Sequence, residues 1–301
     1  MDDWLLSLEE SARQALSVPL FRYLSQGARD GTTSAEAVRS WADFRFLPHV
    51  MRDVTEVDTR TTILGTEVAS PIGIAPTTLQ RAVHRDGELA MARATAAAGC
   101  LMVVSSNAGT PFADIGATGV HWWLQAYLPS DRTLAEPLLA RAAAAGARAV
   151  VLTVDTPVVA TKYDGPGQTV WETTDPGLLR VNFDPDYADT PGAEKATDLG
   201  PHDIVWVAET SGLPVVVKGV LRPDDARRCV QAGAAAIWVC SAPTTPAGAC
   251  RRVLPPSGCP TTGAASWIVP SPPLTPSHPS GRQSATRSRS TWTEVSGPGS
   301  T

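Results

Sequence analysis

Four short apolar runs in this 301-residue sequence end in side chains of the kinds that bind and polarise small molecules. Ser105 lies in LMVVSS, Gln125 and Tyr127 close HWWLQAY, Thr153 and Asp155 close AVVLTVD, and Lys218 interrupts PVVVKGV. Lys218 is a lone cation at the end of an apolar strand. It can snorkel to the surface, act as a Schiff-base amine, or stand as a fixed positive charge for an anionic cofactor or intermediate. Asp155 can cap the turn before Pro157, or orient a histidine base and stabilise its imidazolium. Tyr127 can be a core aromatic with a satisfied hydroxyl, or a donor to a substrate oxygen. Singly, each has an ordinary structural role. Converging from successive strand ends, they point to a site.

The elements that would gather them alternate from residue 70 onward, after two or three short N-terminal helices. The apolar runs PIGIAP, LMVVSS, HWWLQAY, AVVLTVD, PVVVKGV and AAIWVC are separated by helical segments, among them DGELAMARATAAAG, LAEPLLARAAAAG, HDIVWVAETSG and PDDARRCVQAG. A long polar loop spans Thr156 to about Gly200. Continuous rather than alternating apolar runs mean strands buried on both faces, as in a parallel sheet. An open doubly wound sheet and a (β/α)8 barrel both fit that pattern. The first βα turn, PTTLQRAVHRDGE, has no G-x-G-x-x-G, which weakens the doubly wound dinucleotide fold. Polar groups at several strand ends favour the barrel, whose active face is built that way. The expectation is an α/β TIM-type barrel with N-terminal helices, cut short after its sixth strand.

Composition divides the chain at about residue 240. Residues 1–240 carry 20 basic and 29 acidic side chains, a formal −9, which argues against a nucleic-acid surface. Residues 241–301 hold five Arg and one acid, and 31 of these 61 residues are Pro, Ser or Thr. Such a tail buries too little apolar surface to offset its ordering entropy, so it is expected to be disordered. The expected domains are therefore 1–240 and 241–301. MDDWLLSLEESARQALS reads as an amphipathic helix with Trp4, Leu5, Leu8 and Ala12 on one side. It has acids where a signal peptide needs bases, and no run approaches 18 apolar residues, so a cytoplasmic protein without membrane contact is expected. The five cysteines lack metal-site spacing, and no metal is expected. None of the five histidines (His49, His84, His121, His202, His278) ends a strand, so no catalytic base is evident.

The runs SPIGIAPTTLQRAVHRDGELAMARATAAAG, LQAY, VLTVDTPV and LPVVVKGVLRPDDARRCVQAGAAAI, with FRYLSQGARDG and DVTEVDTRTTILG before them, resemble the FMN-dependent α-hydroxy-acid oxidases and dehydrogenases. The resemblance covers about residues 5–240. It implies a TIM barrel with FMN at its C-terminal face, where an L-2-hydroxy acid is oxidised to a 2-oxo acid. Carried over by position, Pro76, Thr77 and Thr78 lie beside the flavin through their backbone. Ser105, Gln125 and Thr153 hydrogen-bond its ring, and Lys218 sits by the N1–O2 edge. Tyr23 and Tyr127 contact the carboxylate and hydroxyl region of the substrate, and Asp155 partners the family's catalytic histidine. A homo-oligomer is left open.

The sequence also departs from that pattern. Lys162 in VVATKYDG stands where an arginine is usual, keeping the charge without the bidentate fork. Asn107 replaces an aromatic found in some members. The histidine-bearing SNHGGRQLD-type segment expected after AAIWVC is replaced by SAPTTPAGAC, and the later phosphate-holding segments are absent. Reading the codons of Ala242–Ala249 across their boundaries permits Ser-Asn-His-x-Gly-Gly-Arg, so the tail is expected to be an out-of-frame translation of a once-complete oxidase. The competing expectation is a non-catalytic remnant that binds flavin weakly or not at all, with its first and sixth strands as open edges.

Overall fold

A computed structural model describes residues 4–40, 45–159, 168–239 and 267–270, all within the first of two units of the chain, Met1–Ser271. Three helices lead: α1 (Trp4–Ala15), α2 (Val18–Ser25) and α3 (Thr32–Ser40). A hairpin follows, β1 (Thr61–Ile63) and β2 (Thr66–Val68), and then the alternating body. That body runs β3 (Gly73–Ile74), α4 (Gln80–Val83), α5 (Gly87–Ala97), β4 (Leu101–Ser105), α6 (Phe112–Gly116), β5 (His121–Ala126) and α7 (Glu136–Ala144). It continues through β6 (Val150–Thr153), α8 (Val170–Thr173), α9 (Pro201–Ser211), β7 (Val215–Val220), α10 (Pro223–Gln231) and β8 (Ala236–Val239). The last described element is β9 (Trp267–Pro270).

The six apolar runs are the six strands β3–β8, all parallel and paired in chain order. That order decides between the two architectures. A doubly wound sheet reverses direction at a switch point. Here the order never reverses, and α5, α6, α7, α9 and α10 all pack on the same face, as right-handed crossovers in a single direction require. The helix-facing layer holds Met102, Val104, Trp122, Leu124, Val150, Leu152, Val215, Val217 and Ile237, packed with Leu138, Leu139, Ile204 and Val207 from the helices. The inner layer holds Leu101, Val103, Trp123, Val151, Val216 and Trp238, and no helix contributes to it. The sheet is thus the first part of a TIM-type barrel, curling around an inner face of its own side chains.

Local signals account for the helix boundaries. Asp86 stands at the N-cap of α5, without a side-chain capping bond, and Gly99 follows it in the left-handed region at φ 62°. Pro201 opens α9 and Gly212 closes it at φ 67°. The β1–β2 hairpin escaped sequence reading. Its turn residues, Leu64 and Gly65, both have positive φ, and leucine is an unusual choice for that position. Ile63, Leu64 and Val68 pack on the inner layer and cover its amino-terminal end.

Two expectations changed. α1 forms, but Trp4 and Leu8 on its apolar side are exposed. The edge of β8 is not bare: β9 pairs with it antiparallel, Val239 opposite Trp267 and Ala236 opposite Pro270. Unpaired strand edges recruit whatever backbone can reach them. β3 ends the sheet on the other side. The expected tail otherwise falls outside the described residues. Among those described, no helix is long and apolar enough to cross a membrane.

Candidate active site

Side chains alternate along a strand, so the inner row of each strand continues past the apolar layer to its carboxyl end. There the chemistry changes. Val103 is followed by Ser105, Trp123 by Gln125, Val151 by Thr153 and Val216 by Lys218. Cross-strand register sets Ser105 opposite Gln125, and Thr153 opposite Lys218. Four neighbouring strands therefore present one continuous polar band on the inner face.

Two of these groups are already engaged with each other. Gln125 Nε2 donates to Thr153 Oγ1 at 3.1 Å with both side chains buried. Ser105 Oγ accepts the Asn107 backbone N–H at 3.2 Å, which turns the chain out of β4. Lys218 Nζ lies 3.7 Å from Asp155 Oδ2, the two side chains being 20% and 34% exposed. A pair that open contributes little to stability. Its ammonium keeps donors free for another partner. Gly219 makes this arrangement possible. Its φ of 107° suits glycine, and a Cβ there would lie 2.5 Å from Asp155 Cβ. The same residue marks the bulge between β7 and β8. A glycine within VVVKGV was the sequence signal for it.

Beyond the strand ends, Tyr127 and Tyr23 come together. Burial, and then the charge of Asp155, push the Tyr127 phenol above its ordinary range. Burial also raises Tyr23, with Tyr127 as the second cause. Both phenols therefore stay neutral and keep a proton to donate. Tyr23 is fixed edge-on against Trp171 of α8, ring centroids 5.2 Å apart. Pro76, Thr77 and Thr78 form the loop leaving β3, and the Thr78 hydroxyl reaches the Asn107 carbonyl at 3.5 Å. Lys162 lies outside the described residues.

The polar loop expected from Thr156 to Gly200 contributes more than sequence reading gave it. Asn182 is buried and clamps the loop after β4, accepting from the Phe112 N–H at 2.8 Å and donating to the Thr110 carbonyl at 3.0 Å. Buried Glu88 holds that loop from the other side through Gly109 N–H and the Thr110 hydroxyl. Further along, Ser130 and Asp131 donate backbone bonds to Glu194 and Gly192, and Ala196 donates to Leu128. These anchors bring Arg180, Phe183, Tyr187 and Lys195 around a small, partly open cleft of about 60 Å³ that also touches Asn107 and Tyr127. No apolar period or known motif flagged Arg180 or Lys195, because their position depends on buried polar anchors far away in sequence.

The structure brings Ser105, Gln125, Thr153, Asp155 and Lys218 to one edge, with Tyr23 and Tyr127 beside them. It brings no histidine there among the described residues. His49 lies in an extended exposed segment, His84 ends α4, His121 opens β5 at the opposite end of the strand, and His202 is in the first turn of α9.

Residues 12–242 match the family described as FMN-dependent dehydrogenase. Glycolate oxidase of Spinacia oleracea is 36% identical over 247 residues, covering 77% of this chain and 66% of the relative. Glycolate oxidase 3 of Arabidopsis thaliana is 35% identical over 246 residues, covering 78% of this chain and 67% of its own length. The chain thus spans about two thirds of the length of these relatives. Among solved structures, a tyrosine-to-phenylalanine variant of mandelate oxidase with (S)-mandelic acid superposes with a TM-score of 0.71. It is 29% identical, and the match covers 83% of this chain and 73% of that one.

Proposed function

Because the chain belongs to the FMN-dependent dehydrogenase family, we propose that it holds FMN with the ring against the carboxyl ends of β4–β7 and oxidises an L-2-hydroxy acid to the 2-oxo acid. At the level of the family, the function is FMN-dependent oxidation of 2-hydroxy acids. The observation that carries the reading for this chain is the inner row turning polar at Ser105, Gln125, Thr153 and Lys218. A buried carboxamide and hydroxyls suit a ring that presents both hydrogen-bond donors and acceptors, and Lys218 suits its electron-rich edge. The backbone of Pro76, Thr77 and Thr78 would line the ring from the first strand end. Bound FMN supplies the two-electron acceptor. Tyr127 would donate to the substrate oxygens, with Tyr23 and Lys162 receiving the carboxylate.

A second reading is favoured by one observation: no histidine lines the site among the described residues. Asp155 is paired with Lys218 and not with an imidazole. Loss of a general base removes about 10²–10⁴-fold of rate. On that reading the protein is a remnant that binds flavin without turnover. Work in the cytoplasm belongs to the same proposal, supported by the free thiols of Cys100 and Cys229.

An absorbance spectrum of the purified full-length chain tests the proposal. Flavin absorbance bleached anaerobically by lactate, glycolate, mandelate or malate is the expected result. A yellow protein that no hydroxy acid bleaches establishes the remnant reading, and a colourless protein that takes up no added FMN overturns both the ring site and the activity.

A further inference from the structure

The cleft beside Tyr127 has an unusual charge balance for an acidic protein. Arg180 and Lys195 both line it, and no carboxylate does among the described residues. The nearby acids each have a partner outside the cleft. Asp155 faces Lys218 at 3.7 Å, Asp184 pairs with Arg141, and Glu194 is engaged by Ser130. Neither Arg180 nor Lys195 forms an ion pair among the described residues. The charge of Asp155 offsets part of that of Lys195, but Asp155 does not line the cleft, and the two cations repel each other across it, a repulsion that a bound anion would relieve.

Both cations are also held in place. Lys195 Nζ stands 3.9 Å above the centroid of the Tyr127 ring, and the residue's backbone is bridged to Pro129. Burial, followed by the charge of Arg180, pulls its ammonium below the ordinary range against the opposing charge of Asp155. Arg180 adopts φ 55°, a strained conformation for a side-chain-bearing residue, and such strain collects at ligand clamps. It follows Leu178, whose carbonyl packs so closely on Gly109 that any Cβ there would collide with it. The loop carrying Arg180 is therefore seated on the β4 loop by backbone contact.

Geometry and charge together have a chemical meaning. Tyr127 is shared between the polar band and this cleft, so a molecule whose hydroxyl end meets Tyr127 extends its other end toward Lys195 and Arg180. We infer that Arg180 and Lys195 form a subsite for a second acidic group, and that the preferred substrate class is a 2-hydroxy dicarboxylate in which a distal carboxylate lies between these two cations. Phe183 and Tyr187, packed 4.4 Å apart, would wall the intervening carbon chain. The inference rests on the hydroxy-acid reading above and adds the identity of the far end of the substrate.

Binding separates the two claims without needing turnover. Quenching of tryptophan fluorescence by L-malate and by L-lactate would be measured on the full chain, with and without FMN, for the parent and for Lys195→Met and Arg180→Gln. The parent should bind malate about tenfold more tightly than lactate, as one added charge-assisted contact predicts. Either substitution should cut that malate-to-lactate ratio by about tenfold, and Lys195→Arg should restore most of it. Circular dichroism confirms that each variant is folded. A parent ratio near one overturns the inference, and so does a loss of malate and lactate affinity in equal proportion. The second result would mean that these cations hold the reacting carboxylate instead. A protein that takes up no added FMN yet keeps the malate preference would refute the flavin reading while leaving the subsite standing.

Discussion

The body of the sheet and the segment just before it treat apolar residues in opposite ways. In β4–β8 almost every apolar side chain is covered, and Trp122 and Trp123 are buried on opposite faces of the same strand. Between residues 45 and 60 the reverse holds: Phe46, Leu47 and Met51 are more than nine-tenths exposed, and Val50, Val54 and Val57 about three-quarters. The difference lies in where each region's partners come from. A βα unit closes on the strand before it and on its own helix, all within about thirty residues. The 45–60 segment finds no such neighbour among the described residues. Apolar content alone therefore did not decide burial, whereas a sequence-local partner did.

Substitutions can break or sharpen that contrast. Trp123→Ala should cost most, about 3–5 kcal/mol in urea unfolding, since it empties the centre of the inner layer. A loss under 1 kcal/mol would mean that the inner face is not closed in solution. Gly219→Ala should come next, at about 1–3 kcal/mol for the φ it would have to hold. It should also weaken FMN uptake, because the methyl pushes Asp155 away from Lys218. Retained FMN affinity in a destabilised variant would detach Gly219 from the site. Phe46→Asp should change stability by no more than about 0.5 kcal/mol while improving solubility. A cost above 1 kcal/mol would show that this segment is covered in the working protein.

The helix ends and strand runs that sequence reading found share one property: each is set by neighbours along the chain. PVVVKGV must be a strand buried on both faces, and PDDARRCVQAG starts with proline and acids and ends at glycine, wherever either lies in the molecule. The LG turn of the hairpin was missed because leucine at positive φ contradicts the local rule and is tolerated only when the inner layer receives it. The clamps made by Asn182 and Glu88 were missed for a related reason. A buried polar residue inside a polar stretch looks like surface until its partners, 70 and 21 residues away, are known.

By itself the sequence determined six parallel strands, their intervening helices and the polar residue that ends each central run, because alternation and capping are short-range effects. Only the tertiary structure decided that Ser105, Gln125, Thr153 and Lys218 fall in one inner row, since that depends on strand order and register. It also decided that Asp155 faces a lysine, and that Lys195 comes to rest on Tyr127. Contacts across 63 to 68 residues of chain exist only once the loops between them have been closed and paid for by packing elsewhere.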